Sequence, residues 1–303
     1  MDIEQALADL REMETDDGLC QPDALGERIR ALDELSFILQ VLRTGGREAH
    51  ESGRRATALS RRLEALNRKL YARVRAWLQS SAWTRDELRA LLERYTGYAG
   101  ADAGPLHLEY EPVDHLIDGV LELERFRGRA TIEHQDIVHL EDTPVSVLLD
   151  LVDHVPLEDG DLFCDLGSGL GRATILVHWL TGVPARGIEI QPEYCAFARA
   201  LAASFGLSEV EFVEVDARQA PLDGATVYYL FTPFKGATLQ RVLERLKTEA
   251  QGRTITICTY GAVSLLTAQE DWLRSADGHA PHAFSLAIWR SRRARSRSLG
   301  SVH

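Results

Sequence analysis

Residues 163–177 read FCDLGSGLGRATILV, and the fold turns on how they are read. An apolar run ends in Asp165-Leu166, glycines follow at 167, 169 and 171, and apolar residues resume at once. A strand, a glycine turn and a helix in that order is the context a nucleotide-holding turn needs. Glycine lets the backbone approach a ligand where a Cβ would collide. The downstream sequence keeps the same rhythm. DLFCDL, ARGIEI, VEFVEV, ATVYYLF and RTITICTY read as strands. GRATILVHWL, PEYCAFARALAASFG and GATLQRVLERLKTEA read as helices between them. Such alternation predicts an α/β fold, a mostly parallel sheet covered on both faces.

The spacing of the turn is GxGxG, not the GxGxxG of a dinucleotide site. Asp165 stands two residues ahead of the first glycine, where it would repel a pyrophosphate and welcome a cation. S-adenosylmethionine fits that demand, because it carries an ammonium and a sulfonium. The next strand ends in Glu189, a carboxylate that can accept from both ribose hydroxyls. A third strand ends in Asp216, which can accept from an adenine amino group. All three acids fall at the carboxyl ends of successive strands, the edge along which open α/β sheets bind ligands.

On Asp165-Leu-Gly-Ser-Gly-Leu-Gly171, Glu189 and Asp216, residues 140–290 resemble the class I S-adenosylmethionine-dependent methyltransferases. The resemblance implies a Rossmann-like seven-stranded sheet whose last strand, AFSLAIWRS, is antiparallel, with EDWLRSA supplying the strand before it. It implies that Asp165, Gly167, Ser168, Gly169 and Gly171 cradle the methionine and ribose of the cofactor, Glu189 the ribose and Asp216 the adenine. Ile190, Ala217 and Thr143 are further cofactor-side candidates. DLGSGLGR, GIEIQPEYCAFARA and EDTPVSVLLDLV are similar to the non-SET histone lysine methyltransferases and their bacterial relatives. That likeness does not reach the N-terminal helices.

The fourth motif departs from the family. Methylases of base exocyclic nitrogens and of glutamine carry NPPY or DPPF, and the non-SET histone enzymes an Asn-Asn-Phe type sequence. Here Phe231-Thr232-Pro233-Phe234 stands instead. Its lack of an Asn or Asp argues against adenine-N6 methylation and permits a lysine acceptor. Tyr228, Tyr229, Phe231 and Phe234 cluster at the end of the fourth strand; alternate members fill the core as strand side chains do, and Phe231 and Phe234 are expected to face the site. With Thr232, Pro233 and Tyr260 they make the candidate acceptor channel. No general base is singled out; Glu141 and Tyr260 are the residues considered.

Upstream, residues 1–100 read as a helical N-terminal domain and 101–160 as a helical and looped connection. The methyltransferase domain spans 161–290, and 291–303 is a basic tail holding Arg292, Arg293, Arg295 and Arg297. A helix from Leu25 carries Ile29, Leu32, Leu35, Leu39 and Leu42; one over 49–79 carries Leu59, Leu63, Leu66, Leu70, Val74 and Trp77. Thr84 with Glu87 starts another, GYAGADAGP (97–105) is a loop, and Thr143-Pro144 opens a helix with Thr143 as cap. The 49–79 helix also displays Arg54, Arg61, Arg68 and Arg75, flanked by Arg55, Arg62 and Lys69. That face reads either as a dock for RNA or an acidic partner, or as a solvated surface paired with the acidic first helix.

The chain of 303 residues carries a formal charge of −12, which disfavours bulk nucleic-acid binding away from that face. Isolated cysteines at 20, 164, 195 and 258 point to reduced thiols in a cytoplasmic protein, with no metal site. His279 and His282 lack a ligand partner. No apolar run is long enough for a membrane span. The sequence thus points to a methyltransferase whose acceptor is an amine such as a protein lysine. A small-molecule or RNA methylase, and an inactive cofactor-binding scaffold, stay open beside it.

Overall fold

The structure, a computed structural model, describes residues 1–96, 110–276, 278 and 280–292. The loop expected at 97–105, His279 and the tail from Arg293 lie outside the described residues. The chain divides into two compact units. One holds residues 1–83, 91–96 and 111–122; the other holds 84–90, 97–110 and 123–303.

The first unit is helical: α1 (Ile3–Thr15), α2 (Leu25–Leu42), α3 (Arg47–Gln79), the end of α4 (Arg85–Arg94) and α5 (Pro112–Leu121). Asp2 caps α1 by accepting the Gln5 N–H at 2.9 Å. The buried stripe of α3 follows the expected leucines through Leu59, Leu63, Leu70 and Val74, and adds Asn67. That of α2 differs from the sequence reading. It runs through Leu25, Arg28, Ala31, Leu35, Ile38 and Leu42, and leaves Ile29 and Leu39 half-buried. The reason is Arg28. Its guanidinium is buried and donates to Asn67 Oδ1 (2.5 Å) and to the Gln21 carbonyl (2.6 Å), so a polar clasp occupies a core position.

The cationic row of α3 is partly spoken for. Arg55 Nε donates to Glu14 Oε1 of α1 at 3.0 Å, and Arg75 donates to the Val120 carbonyl at 2.6 Å. Arg54, Arg61 and Lys69 are exposed.

In the second unit the strands are β1 (Phe163–Leu166), β2 (Ala185–Glu189), β3 (Val210–Glu214), β4 (Val227–Phe231), β5 (Thr256–Tyr260), β6 (Leu273–Ser275) and β7 (Ala287–Ser291). They form one sheet in the order β3-β2-β1-β4-β5-β7-β6. β1 to β5 pair in parallel, and β7 runs antiparallel to both β5 and β6. Every residue of β1 is buried, as in a strand covered on both faces. The intervening helices are α6 (Val145–His154), α7 (Arg172–Thr181), α8 (Pro192–Ser204), α9 (Gly236–Gly252) and the short α10 (Val263–Thr267). Strand order reverses between β1 and β4, so the chain leaves those two strands in opposite directions and opens a crevice at their carboxyl ends.

Two helix starts can be compared with the sequence. At α4, Thr84 and Glu87 make the reciprocal box: Glu87 Oε2 accepts the Thr84 N–H (2.8 Å), and Thr84 Oγ1 accepts the Glu87 N–H (3.2 Å). At α6 the expectation fails. Pro144 takes the cap position, without a side-chain cap bond, and the helix begins at Val145. Thr143 is instead buried, and its hydroxyl accepts from the Tyr229 hydroxyl at 3.1 Å. A deeper partner won the oxygen that capping would have used.

Candidate functional site

The glycine turn leaves β1 with φ of +92° at Gly167, +53° at Gly169 and +90° at Gly171. Each also has a steric reason to lack a side chain. A Cβ on Gly167 would lie 2.1 Å from Pro233 Cβ, one on Gly169 2.4 Å from Leu140 Cδ1, and one on Gly171 2.6 Å from Phe212 Cζ. Gly171 therefore serves helix–strand packing. Gly167 and Gly169 bring backbone against the FTPF turn and against residue 140.

Glu189 closes the turn from the side. Its carboxylate accepts the Gly169 N–H at 2.8 Å and the Gln191 N–H at 2.7 Å, one on each oxygen. Burial pushes its pKa up, and those backbone donors pull it back. Each oxygen keeps a further lone pair for a ligand hydroxyl.

Asp165 sits behind the turn rather than on the cavity wall. It is buried and accepts the Thr174 hydroxyl at 2.8 Å. Burial, together with the nearby Glu189 charge, pushes its pKa up to about 7. An unfolded aspartate titrates near ~3.9. The raised folded value means that the stabilising contribution of Asp165 is complete below ~4 and is lost as pH rises through 7. Asp165→Asn removes this titration. The melting temperature of wild type minus that of Asp165→Asn is expected to fall between pH 5 and pH 8. A difference that stays flat over that range contradicts the assignment.

Asp216 is also committed. Arg218 donates its backbone N–H to Oδ1 (2.8 Å) and its Nη2 to Oδ2 (2.6 Å), and this holds the carboxyl below the usual range. Any ligand donor at Asp216 would share the carboxylate with that guanidinium.

FTPF forms a strained turn at the end of β4. Thr232 has φ +39°, a backbone state that a β-branched residue rarely enters. Its hydroxyl donates to the Tyr260 carbonyl (3.2 Å) and accepts the Val263 N–H (3.3 Å), which holds the turn in place. Phe231 rests 4.9 Å, centroid to centroid, from Tyr260. Phe231, Pro233 and Phe234 line a cavity, with Phe234 itself buried in the same core cluster as Tyr228; Tyr229 is buried as well.

That cavity, of about 300 Å³, lies along the carboxyl edge of the sheet. Gly167, Gly169, Glu189, Ile190, Asp216 and Ala217 line it, whereas Thr143, Ser168, Gly171, Thr232 and Tyr260 do not. Its opposite wall is the irregular segment 130–141, which sequence reasoning left unassigned apart from Glu141. This strap is tied down along its length. The Gln191 side chain accepts the Thr131 and Ile132 N–H groups, each at 2.9 Å, and donates to the Ile132 carbonyl at 2.7 Å. Asp136 accepts the Thr238 N–H (3.1 Å) and hydroxyl (3.0 Å) in the first turn of α9. The Val138 N–H donates to the Pro233 carbonyl at 3.2 Å. The strap has no period that would announce it. Gln191, a buried polar residue ahead of Pro192, is the one local signal. Among the described residues no group of His, Cys, Asp and Glu could hold a metal ion, and no helix is long and apolar enough to cross a membrane.

A seven-stranded sheet in this order, with its antiparallel β7 and an acid–GxGxG turn at the β1 edge, gives the second unit the fold of the class I S-adenosylmethionine-dependent methyltransferases. Residues 138–212, about a quarter of the chain, match the family described as histone methylation protein DOT1. Solved structures with similarity to this chain include an RNA methyltransferase from Salinibacter ruber in complex with S-adenosyl-L-homocysteine. It is 23% identical over 50% of this chain and 92% of that one, with a TM-score of 0.37. A precorrin-6y C5,15-methyltransferase from Geobacter metallireducens is 17% identical over 52% and 94%, at 0.40. A SAM-dependent methyltransferase from Aquifex aeolicus is 17% identical over 49% and 93%, at 0.39. No curated protein matches the chain.

Proposed function

We propose that the cavity holds S-adenosylmethionine and that the chain transfers its methyl group to an amine, of which a protein lysine is the leading case. The observation that carries this is Glu189: a buried carboxylate, fixed by one backbone donor of the glycine turn, Gly169, and one of its own turn, Gln191, beside a cavity that a side chain at Gly167 or Gly169 would crowd.

The residues fit the cofactor. Glu189 presents spare lone pairs to the ribose hydroxyls. Val215, Ala217 and Ile190 offer an apolar wall for the adenine, with Asp216 and Arg218 at its rim. Gly167 and Gly169 give the methionine portion room to lie against backbone. Asp165, behind them, is held near neutrality by burial, and a cationic ligand nearby would favour its ionised form. When bound, the cofactor supplies an activated methyl group on a cationic sulfur.

The protein's remaining tasks are to align a nucleophile and to keep water out. The strap and the FTPF turn close the cavity from two sides. The faces of Phe231 and Phe234 suit a side chain that carries positive charge. The DOT1 match supports a protein acceptor, and the missing Asn or Asp at position 231 argues against a base amino group.

Incubating the protein with cell lysate and methyl-labelled cofactor, then digesting with protease or nuclease, reads out the acceptor class. Label released by protease and recovered as methyl-lysine is expected. Label that appears only in nuclease-sensitive material or in small solutes contradicts the lysine reading.

A further inference from the structure

We propose that Glu141 is the carboxylate that grips the acceptor: a cationic amine of the lysine side-chain class, held at the FTPF end of the cavity. The proposal rests on the methyl-transfer reading above and names the residue that selects the acceptor.

Four carboxylates line the cavity: Glu133, Glu141, Glu189 and Asp216. Glu189 has one oxygen on the Gly169 N–H of the glycine turn and the other on the Gln191 N–H, and Asp216 is held by Arg218. Glu133 follows Ile132, which is tied to Gln191, the residue whose N–H binds the Glu189 carboxylate. It therefore belongs to the ribose and adenine end. Glu141 is at the other end. It follows Leu140, whose side chain meets the Gly169 position, and Val138, which is bonded to Pro233. It is exposed at the mouth and, among the described residues, makes no hydrogen bond or ion pair. This exposed carboxylate lines the same cavity as Phe231 and Phe234 of the FTPF turn, which form the acceptor-side wall.

This arrangement suits an ammonium better than a neutral acceptor. The ammonium has donors for a carboxylate and a charge for the aromatic faces. One lone pair of the Pro233 carbonyl, the backbone acceptor of the turn, already takes the Val138 N–H. Glu141 supplies what the turn then lacks. Before transfer the ammonium gives one proton to solvent at the open mouth, which frees the nitrogen lone pair. The nitrogen then forms its bond to the methyl carbon as the methyl–sulfur bond breaks. The sulfur keeps that electron pair, and the positive charge passes to nitrogen. Glu141 stands beside the charge as it develops, so it favours the transition state over a neutral bound amine.

The test compares wild type, Glu141→Gln and Glu141→Asp, using peptides with a central lysine in randomised flanks and methyl-labelled cofactor. Calorimetry of S-adenosylmethionine binding and melting temperature are read alongside. Glu141→Gln is expected to raise KM for the peptide pool and lower kcat/KM by roughly 10- to 100-fold, the scale of a lost charged hydrogen bond. Cofactor affinity and melting temperature should stay at wild-type values, and Glu141→Asp should recover part of the loss. A kcat/KM for Glu141→Gln within twofold of wild type overturns the proposal. So does wild-type protein that binds cofactor and labels no lysine peptide. Wild type that binds no cofactor sinks the methyl-transfer reading itself, a failure distinct from either of these.

Discussion

Gly167→Ala is expected to weaken cofactor binding by about 100-fold while the sheet stays folded. Two effects act together. Gly167 holds φ +92°, which an alanine enters at a cost of about 1–2 kcal/mol. The new Cβ would also fall 2.1 Å from Pro233 Cβ, too close for any contact. One of the two turns has to move by about 1 Å or more. The Gly167 N–H donates to the Ile188 carbonyl at 2.8 Å, which anchors its side, so the FTPF turn or the segment 167–169 is displaced. Either displacement misaligns the cavity, and a shift of ~1 Å costs on the order of 100-fold in function. Calorimetry with S-adenosylhomocysteine reads the loss, and circular dichroism reads the retained fold. Wild-type affinity in Gly167→Ala would remove the glycine turn from the site.

The second large effect is expected at Glu189→Gln. A carboxylate has two acceptor oxygens, and here each takes one backbone N–H. A glutamine has one acceptor, so either the Gly169 or the Gln191 N–H must face an NH₂ group. That leaves a buried donor without a partner, at about 1–3 kcal/mol, and loosens the turn. A ribose hydroxyl loses a charged acceptor at the same time, for roughly another 1.5–3 kcal/mol. The first cost lowers folded stability, and the second lowers cofactor affinity by roughly 10- to 100-fold. Glu189→Asp, which keeps both oxygens but shortens the reach, should fall between wild type and Glu189→Gln. Equal affinities for wild type and Glu189→Gln would contradict the role given to this residue.

The fold was legible because its signals are local. The strand–turn–helix run at 163–177 and the alternation after it carry a period, and AFSLAIWRS reads as a strand, whose antiparallel sense only the family resemblance implied. The cavity was half legible. Gly167, Gly169, Glu189 and Asp216 sit at strand ends, where position alone marks them. The strap over 130–141 could not be read. Its path is set by bonds to distant partners, Gln191, Pro233 and Thr238, and not by any pattern of its own. Arg28 escaped for the same reason: a charged residue enters a core only when tertiary acceptors such as Asn67 await it. Thr143 shows the reverse. A good local cap signal lost to Tyr229, a partner 86 residues away in the chain. The ion pair between Asp216 and Arg218 lies two residues apart, yet its geometry follows from the bend after β3, which composition does not specify.

Titration of the folded wild-type protein with S-adenosylmethionine and, in parallel, with NAD tests the central claim most directly. One equivalent of S-adenosylmethionine should bind, S-adenosylhomocysteine should compete for the same site, and NAD should give no saturable heat. Folded protein that takes up no S-adenosylmethionine, or that binds NAD in its place, would contradict the account.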